Sequence, residues 1–134
     1  MSRVVVDTDV VSFLFKNDTR AKKYQPHMIN KEAVVSFMTV AELHLWTLVH
    51  KWGDARQRRL DEHVQKFAVH PYDPALCAVW AQVSHDAMKN GRPIEPADVW
   101  IAATAMLHGL PLITHNASDY HGLDGLTIIT EPDR

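Results

Sequence analysis

An α/β domain with a mainly parallel central sheet is the fold class this sequence predicts, on three observations. Short β-branched runs, such as Arg3 to Val6 and Glu32 to Phe37, alternate with longer stretches of helical period. The connections are short, so neighbouring parallel strands need right-handed helical crossovers, and all strand C-termini lie at one edge. Asp7, Glu42, Asp98 and Asp119 each follow a strand or open a helix, the positions that such an edge gathers.

In chain order, Arg3 to Val6 is a buried strand that delivers Asp7 at its end. Val10 to Lys16 opens a helix, with Thr8 or Asp9 as its cap. Lys16 to Lys31 is polar, with an Asn17-Asp18 turn and Pro26 as a breaker. After the strand Glu32 to Phe37, Thr39-Val40-Ala41-Glu42 has the form of a capping box and starts a helix running to about Trp52. The next helix carries Arg56, Arg58, Arg59 and Gln65 on one side and Leu60, Val64 and Phe67 on the other. A strand follows at Ala68 to Tyr72, then a helix from Pro74 to Asn90 with Leu76, Val79, Trp80 and Val83 inward and Cys77 near that buried face.

The stretch Gly91 to Tyr120 organises the rest. Pro93 and Pro96 end the preceding helix, and Pro96 suits the first turn of the next. Ile101, Ala105 and His108 fall on one helical side, while Ala102 and Ala103 keep that helix slim. Gly109 and Pro111 stop it, Leu110 to Thr114 is a short buried strand, and a polar turn brings Asp119. Leu126 to Thr130 supplies a last strand.

Composition narrows the function classes. The 134 residues fit one domain, spanning 1–134, with 46% hydrophobic and 22% charged residues. No apolar run approaches the roughly 20 residues that span a bilayer, and the N-terminus enters a strand directly, so a cytoplasmic address without membrane partners is expected. A single cysteine excludes an internal disulfide and a cysteine-based zinc cage. His44 and His50 lack the i, i+4 spacing of paired zinc ligands, and no H-E-x-x-H occurs. The formal net charge of −2 is not that of a protein gripping nucleic acid by a broad basic face. The Arg56, Arg58 and Arg59 side is the best local candidate for phosphate contacts, although such a side is commonly just a solvated helix face.

Each acid taken alone has a capping explanation: Asp7 and Asp9 beside a helix start, Glu42 reaching back to the Thr39 N–H. Four carboxylates gathered at one edge would repel one another without a positive partner, and hard oxygen donors favour Mg²⁺ or Mn²⁺. His115, flanking Asn116, stands where it could touch a phosphate without binding the metal.

Three blocks, VVVDTDVVSFL, VSFMTVAELHL and above all GRPIEPADVWIAATAMLHGLPLITHNASDY, resemble the PIN-domain ribonucleases, and more narrowly the VapC toxins of VapBC toxin–antitoxin pairs. The resemblance runs from Arg3 to Ile129 and implies a PIN-like three-layer α/β/α domain. It implies metal-binding carboxylates at Asp7, Glu42 and Asp98, with Asp119 as a fourth, more variable acid, and supporting places for Thr8, Thr114 and Asn116. It further implies a Mg²⁺- or Mn²⁺-dependent endoribonuclease toxin, a homodimer, a cognate VapB-type antitoxin and structured RNA such as tRNA as substrate. Asp9 stands where the family often has asparagine and could offer another ligand, and Glu95 replaces a common glycine.

Two rivals belong beside it. Asp7 and Asp9 after an apolar strand also resemble the opening of HAD-type phosphatases, with Asp7 as nucleophile and Asp9 as general acid–base, but no matching downstream lysine and acidic pair is found. A non-catalytic PIN-like interaction module would be expected to have lost a core acid, and none is lost.

Overall fold

The computed structural model describes residues 2–133. Five strands form one all-parallel sheet in the order β3-β2-β1-β4-β5: β1 is Ser2–Val6, β2 Lys31–Ser36, β3 Ala68–His70, β4 Leu112–Ile113 and β5 Ile128–Ile129. From β1 the chain builds outward through β2 to β3, then returns to place β4 on the other side of β1. That reversal makes a switch point between β1 and β4, where an open parallel sheet leaves a crevice at its C-terminal edge.

Side-chain alternation along the strands sorts the core into two layers. Val4 and Val6 of β1, with Val35 and Ile113, pack with Val10, Val11 and Phe13 of α1 (Thr8–Lys16), Tyr24 of α2 (Ala21–Tyr24), Leu43 of α3 (Phe37–Val49) and Leu60 of α4 (Asp54–Val64). Val5, Val34 and Leu112 point the other way, onto Ile101, Ala102 and Ala105 of α6 (Pro96–Leu107). The alanines let α6 lie close to the sheet, and α5 (Pro74–Lys89) packs on its outer side. The expected three-layer α/β/α architecture is therefore present, with a sheet that is wholly rather than mainly parallel.

Several local expectations are corrected. Asp7, not Thr8 or Asp9, is the N-cap of α1. The helix carrying Glu42 begins three residues earlier than the capping box implied: Ser36 is its cap, with Oγ accepting from Met38 N at 3.0 Å, and Thr39 lies buried inside the helix. That helix ends at Val49 rather than near Trp52. The polar segment 17–31 contains α2 and a 3₁₀ turn at Gln25–His27, and Tyr24 is fully buried under the sheet. Cys77 is exposed rather than facing the core. His108 also lies outside, past the end of α6, with Nε2 2.7 Å from His70 Nε2. The strands at 68, 112 and 128 are shorter than the runs that announced them, although Pro111, Thr114 and Thr127 at their flanks still take part in backbone hydrogen bonds between strands.

Candidate metal centre

At the C-terminal edge, beside the β1–β4 switch point, a pocket of about 130 Å³ is lined by Asp7, Asp9, Glu42, Asp98 and Asp119 with Thr8, Asn116 and Trp46. The four acids singled out in the sequence thus converge, each brought by a different element. Asp7 follows β1, Glu42 stands in the second turn of α3, Asp98 in the first turn of α6, and Asp119 in the 3₁₀ helix Ala117–Tyr120 after β4. A larger hollow of about 240 Å³ beneath the 122–124 turn has Asp86 and Asp124 but also Lys89, and none of these acids. The chemistry favours the smaller pocket.

Asp7 is buried, and its carboxylate is held from three sides. Oδ1 accepts from Thr8 N at 2.7 Å, and Oδ2 accepts from Thr114 Oγ1 at 2.7 Å and from the Tyr120 hydroxyl at 2.8 Å. Burial pushes its pKa up, those three hydrogen bonds oppose the rise, and the charge of Asp119 adds to it. Glu42 Oε1 accepts from Thr8 Oγ1 at 2.8 Å. Since a hydroxyl has one proton to give, the 2.9 Å Thr8–Thr39 contact has Thr39 as donor. Thr39 therefore supports Thr8 and does not cap α3, so the capping explanation of Glu42 fails. The Glu42 carboxyl is raised by burial and by Asp7, against the Thr8 hydrogen bond.

Asp98 carries the clearest signature. Burial, followed by the charges of Asp7, Asp119, Glu42 and Glu95, lifts its carboxyl from the ordinary 3.8 to about 7. Asp9 is also raised to about 7, by burial and then Asp7, but its oxygens are engaged elsewhere. Oδ1 accepts from Val10 N at 2.7 Å, and Oδ2 from His115 N at 3.1 Å and Asn116 Nδ2 at 2.9 Å. Asp9 thus ties the loop after β4 to the start of α1. With three donors upon it, it is poorly placed to be the general acid–base of the phosphatase alternative.

His115 does not face the pocket as expected. Its ring stands edge-on to Phe13 and Tyr24, with centroids 5.2 and 5.7 Å away. Nδ1 meets the Tyr24 hydroxyl and Nε2 lies 3.1 Å from Asp133, so only the backbone N–H of His115 serves the site. Arg56, Arg58 and Arg59 are exposed on α4 and line no part of the pocket, with Arg56 stacked 3.9 Å over the Trp52 ring. Two contributors escaped the sequence reading. Trp46 is one turn beyond Glu42 on α3, an i, i+4 relation that puts both on one face. Tyr120 follows Asp119 directly, and a buried phenol next to a polar turn was itself a sign of a hydroxyl seeking a partner.

Among the described residues no lysine or arginine lines the pocket, so its negative charge has no counter-ion from them there. Among the described residues no three His, Cys, Asp or Glu side chains stand as a ready-made cage. The acids border a pocket rather than surround a point. That donor set suits a hard ion that takes one or two carboxylates and keeps several waters, as Mg²⁺ does. On donor type and charge, the residues fit such a cation.

The PIN domain profile matches residues 4–124 of the chain. The chain belongs to the PIN domain family. Within it, relatives of this chain include VapC ribonucleases. Ribonuclease VapC5 of Mycobacterium tuberculosis is 30% identical over 90% of this chain and 87% of its own length. Ribonuclease VapC1 of Haemophilus influenzae is 27% identical over 91% of this chain and 92% of its own. Among solved structures, VapBC-1 from nontypeable Haemophilus influenzae superposes with a TM-score of 0.81 at 25% identity, covering 96% of this chain and 97% of that one. This PIN-domain chain is accordingly a nuclease of the VapC kind, and no helix among its described residues is long and apolar enough to cross a membrane.

Proposed function

We propose that this PIN-domain chain is a Mg²⁺- or Mn²⁺-dependent endoribonuclease, the toxin half of a toxin–antitoxin pair. The observation that carries the reading is the convergence of Asp7, Glu42, Asp98 and Asp119 on a pocket with no basic side chain in its wall among the described residues. Asp7, Glu42 and Asp98 are the proposed metal-binding carboxylates, and Asp119 is the fourth acid at the rim. A bound divalent ion would supply a lowered water pKa and a counter-charge for a phosphoryl group.

The chain's own groups do the rest. Thr8 orients Glu42 through its hydroxyl and Asp7 through its N–H, and Thr114 fixes the other Asp7 oxygen. Asp9 and Asn116 pin the loop that presents Asp119. Trp46 forms part of the pocket wall beside Glu42. In-line hydrolysis of a phosphodiester would leave 5′-phosphate and 3′-hydroxyl ends. Arg56, Arg58 and Arg59, away from the acids, are the candidate contacts for the RNA backbone, and structured RNA such as tRNA is the proposed substrate.

Kinship with VapBC proteins supports a VapB-type antitoxin as partner and a homodimer as the working form. An antitoxin arginine could replace the ion's charge by pairing with two of the carboxylates. The test is cleavage of total tRNA by purified chain in Mg²⁺, in Mn²⁺ and in EDTA, with end-group sequencing of the products. Cleavage that persists in EDTA, or that leaves cyclic phosphates, would refute the proposal.

A further inference from the structure

We propose that Tyr120 is a positioning residue for Asp7: its hydroxyl and that of Thr114 fill both lone pairs of Oδ2 and aim the remaining lone pair of Oδ1 at the cation. The inference rests on the cation site proposed above and adds to it a residue and a denticity. An ionised carboxylate offers two lone pairs on each oxygen. Thr114 Oγ1 and the Tyr120 hydroxyl take both on Oδ2, and Thr8 N takes one on Oδ1. One acceptor position is left, so Asp7 can bind an ion only through a single oxygen.

Tyr120 is suited to fix that orientation because its ring is packed in the core. It is 1% exposed, and its ring belongs to the buried cluster of Ile101, Ala102, Ala105 and Leu112. The 3₁₀ helix that carries it packs on α6, the helix that carries Asp98. One rigid side chain therefore links the end of β1 to the helix bearing a second acid, and sets the spacing of two carboxylates by core packing. Hydrogen-bond partners of ligating carboxylates characteristically govern metal affinity in this way.

The experiment is Mn²⁺ titration by calorimetry, and by the electron paramagnetic resonance signal of free Mn²⁺, well below the unfolding temperature. Wild type is compared with Tyr120→Phe, which keeps the ring and deletes the donor. The dissociation constant for Mn²⁺ is expected to rise ~10-fold or more in Tyr120→Phe. p-Aminophenylalanine at position 120, which restores an N–H donor in the same place, is expected to recover most of the loss. A role confined to stability would move the melting temperature and leave Mn²⁺ affinity alone. If Tyr120→Phe does not fold, Thr114→Val removes the other donor to the same oxygen and is read identically. A wild-type chain that fails to bind Mn²⁺ overturns the cation site itself and this inference with it. A wild type that binds, with a variant within twofold of it, overturns the inference alone.

Discussion

Replacing Asp98 by asparagine should make the metal-free protein more stable while damaging its activity. The Asp98 carboxyl is raised from 3.8 to about 7, first by burial and then by Asp7, Asp119, Glu42 and Glu95. Between those two pH values the folded chain keeps a proton that the unfolded chain has released. Stability is therefore fullest below about pH 4 and declines as pH rises through 7. For a lone group sealed from water, a shift of this size would correspond to about 4 kcal/mol. Asp98 is only half-buried, and solvent screening reduces the figure to roughly 1–2 kcal/mol at pH 8. In a chain of this length that is a rise of roughly 3–8 °C in Tm for Asp98→Asn at pH 8 in EDTA. At pH 5 the wild-type side chain is still protonated in the fold, and less than half of the gain should remain. Thermal unfolding followed by circular dichroism at both pH values reads the effect directly. Mn²⁺ should raise the Tm of wild type at pH 8 and act only weakly on the variant. An Asp98→Asn protein no more stable than wild type at pH 8, or a gain independent of pH, would refute the electrostatic account of the pocket.

Glu42→Gln retains an amide oxygen to accept from Thr8 Oγ1, so stability should stay within about 1 kcal/mol of wild type. Its metal-dependent cleavage should fall by roughly 10–100-fold, and full activity would remove Glu42 from the site. Asp7→Asn should not be silent in the fold. Three donors converge on that carboxylate, and an amide N–H₂ must face one set of them, so urea unfolding should show a loss of about 1–3 kcal/mol. Unchanged stability would mean those hydrogen bonds contribute little. Alanine at both Arg58 and Arg59, in a Glu42→Gln background that limits cleavage, should weaken RNA binding with and without Mg²⁺. The slope of affinity against KCl should drop by up to about two, and an unaltered slope would take α4 out of the RNA path.

The acids were legible from the sequence because their positions follow from local rules. A β-branched run ending in Asp7 and a Pro-Ala-Asp helix start at Asp98 mark strand ends and first turns, which a parallel sheet gathers at one edge. Periodicity likewise announced α4, α5 and α6, since a helix hides one face whatever its partner. What each acid does was not local. The capping box at Thr39 and Glu42 satisfied every short-range criterion, yet Ser36 took the cap because the β2 ladder ends there, and Thr39 turned inward to Thr8, 31 residues away. His115 and Asp9 are as polar on paper as the acids of the pocket. Only the fold turned the His115 ring toward Tyr24 and set its N–H on Asp9. Tyr24 and Tyr120 looked like incidental aromatics in polar segments, and each is buried with its hydroxyl on a distant partner. The sequence by itself determined which groups reach the C-terminal edge, because chain direction and side-chain period are properties of single elements. The tertiary structure decided which carboxylates are held by hydrogen bonds and which are left to repel, because that depends on donors supplied by other strands and helices.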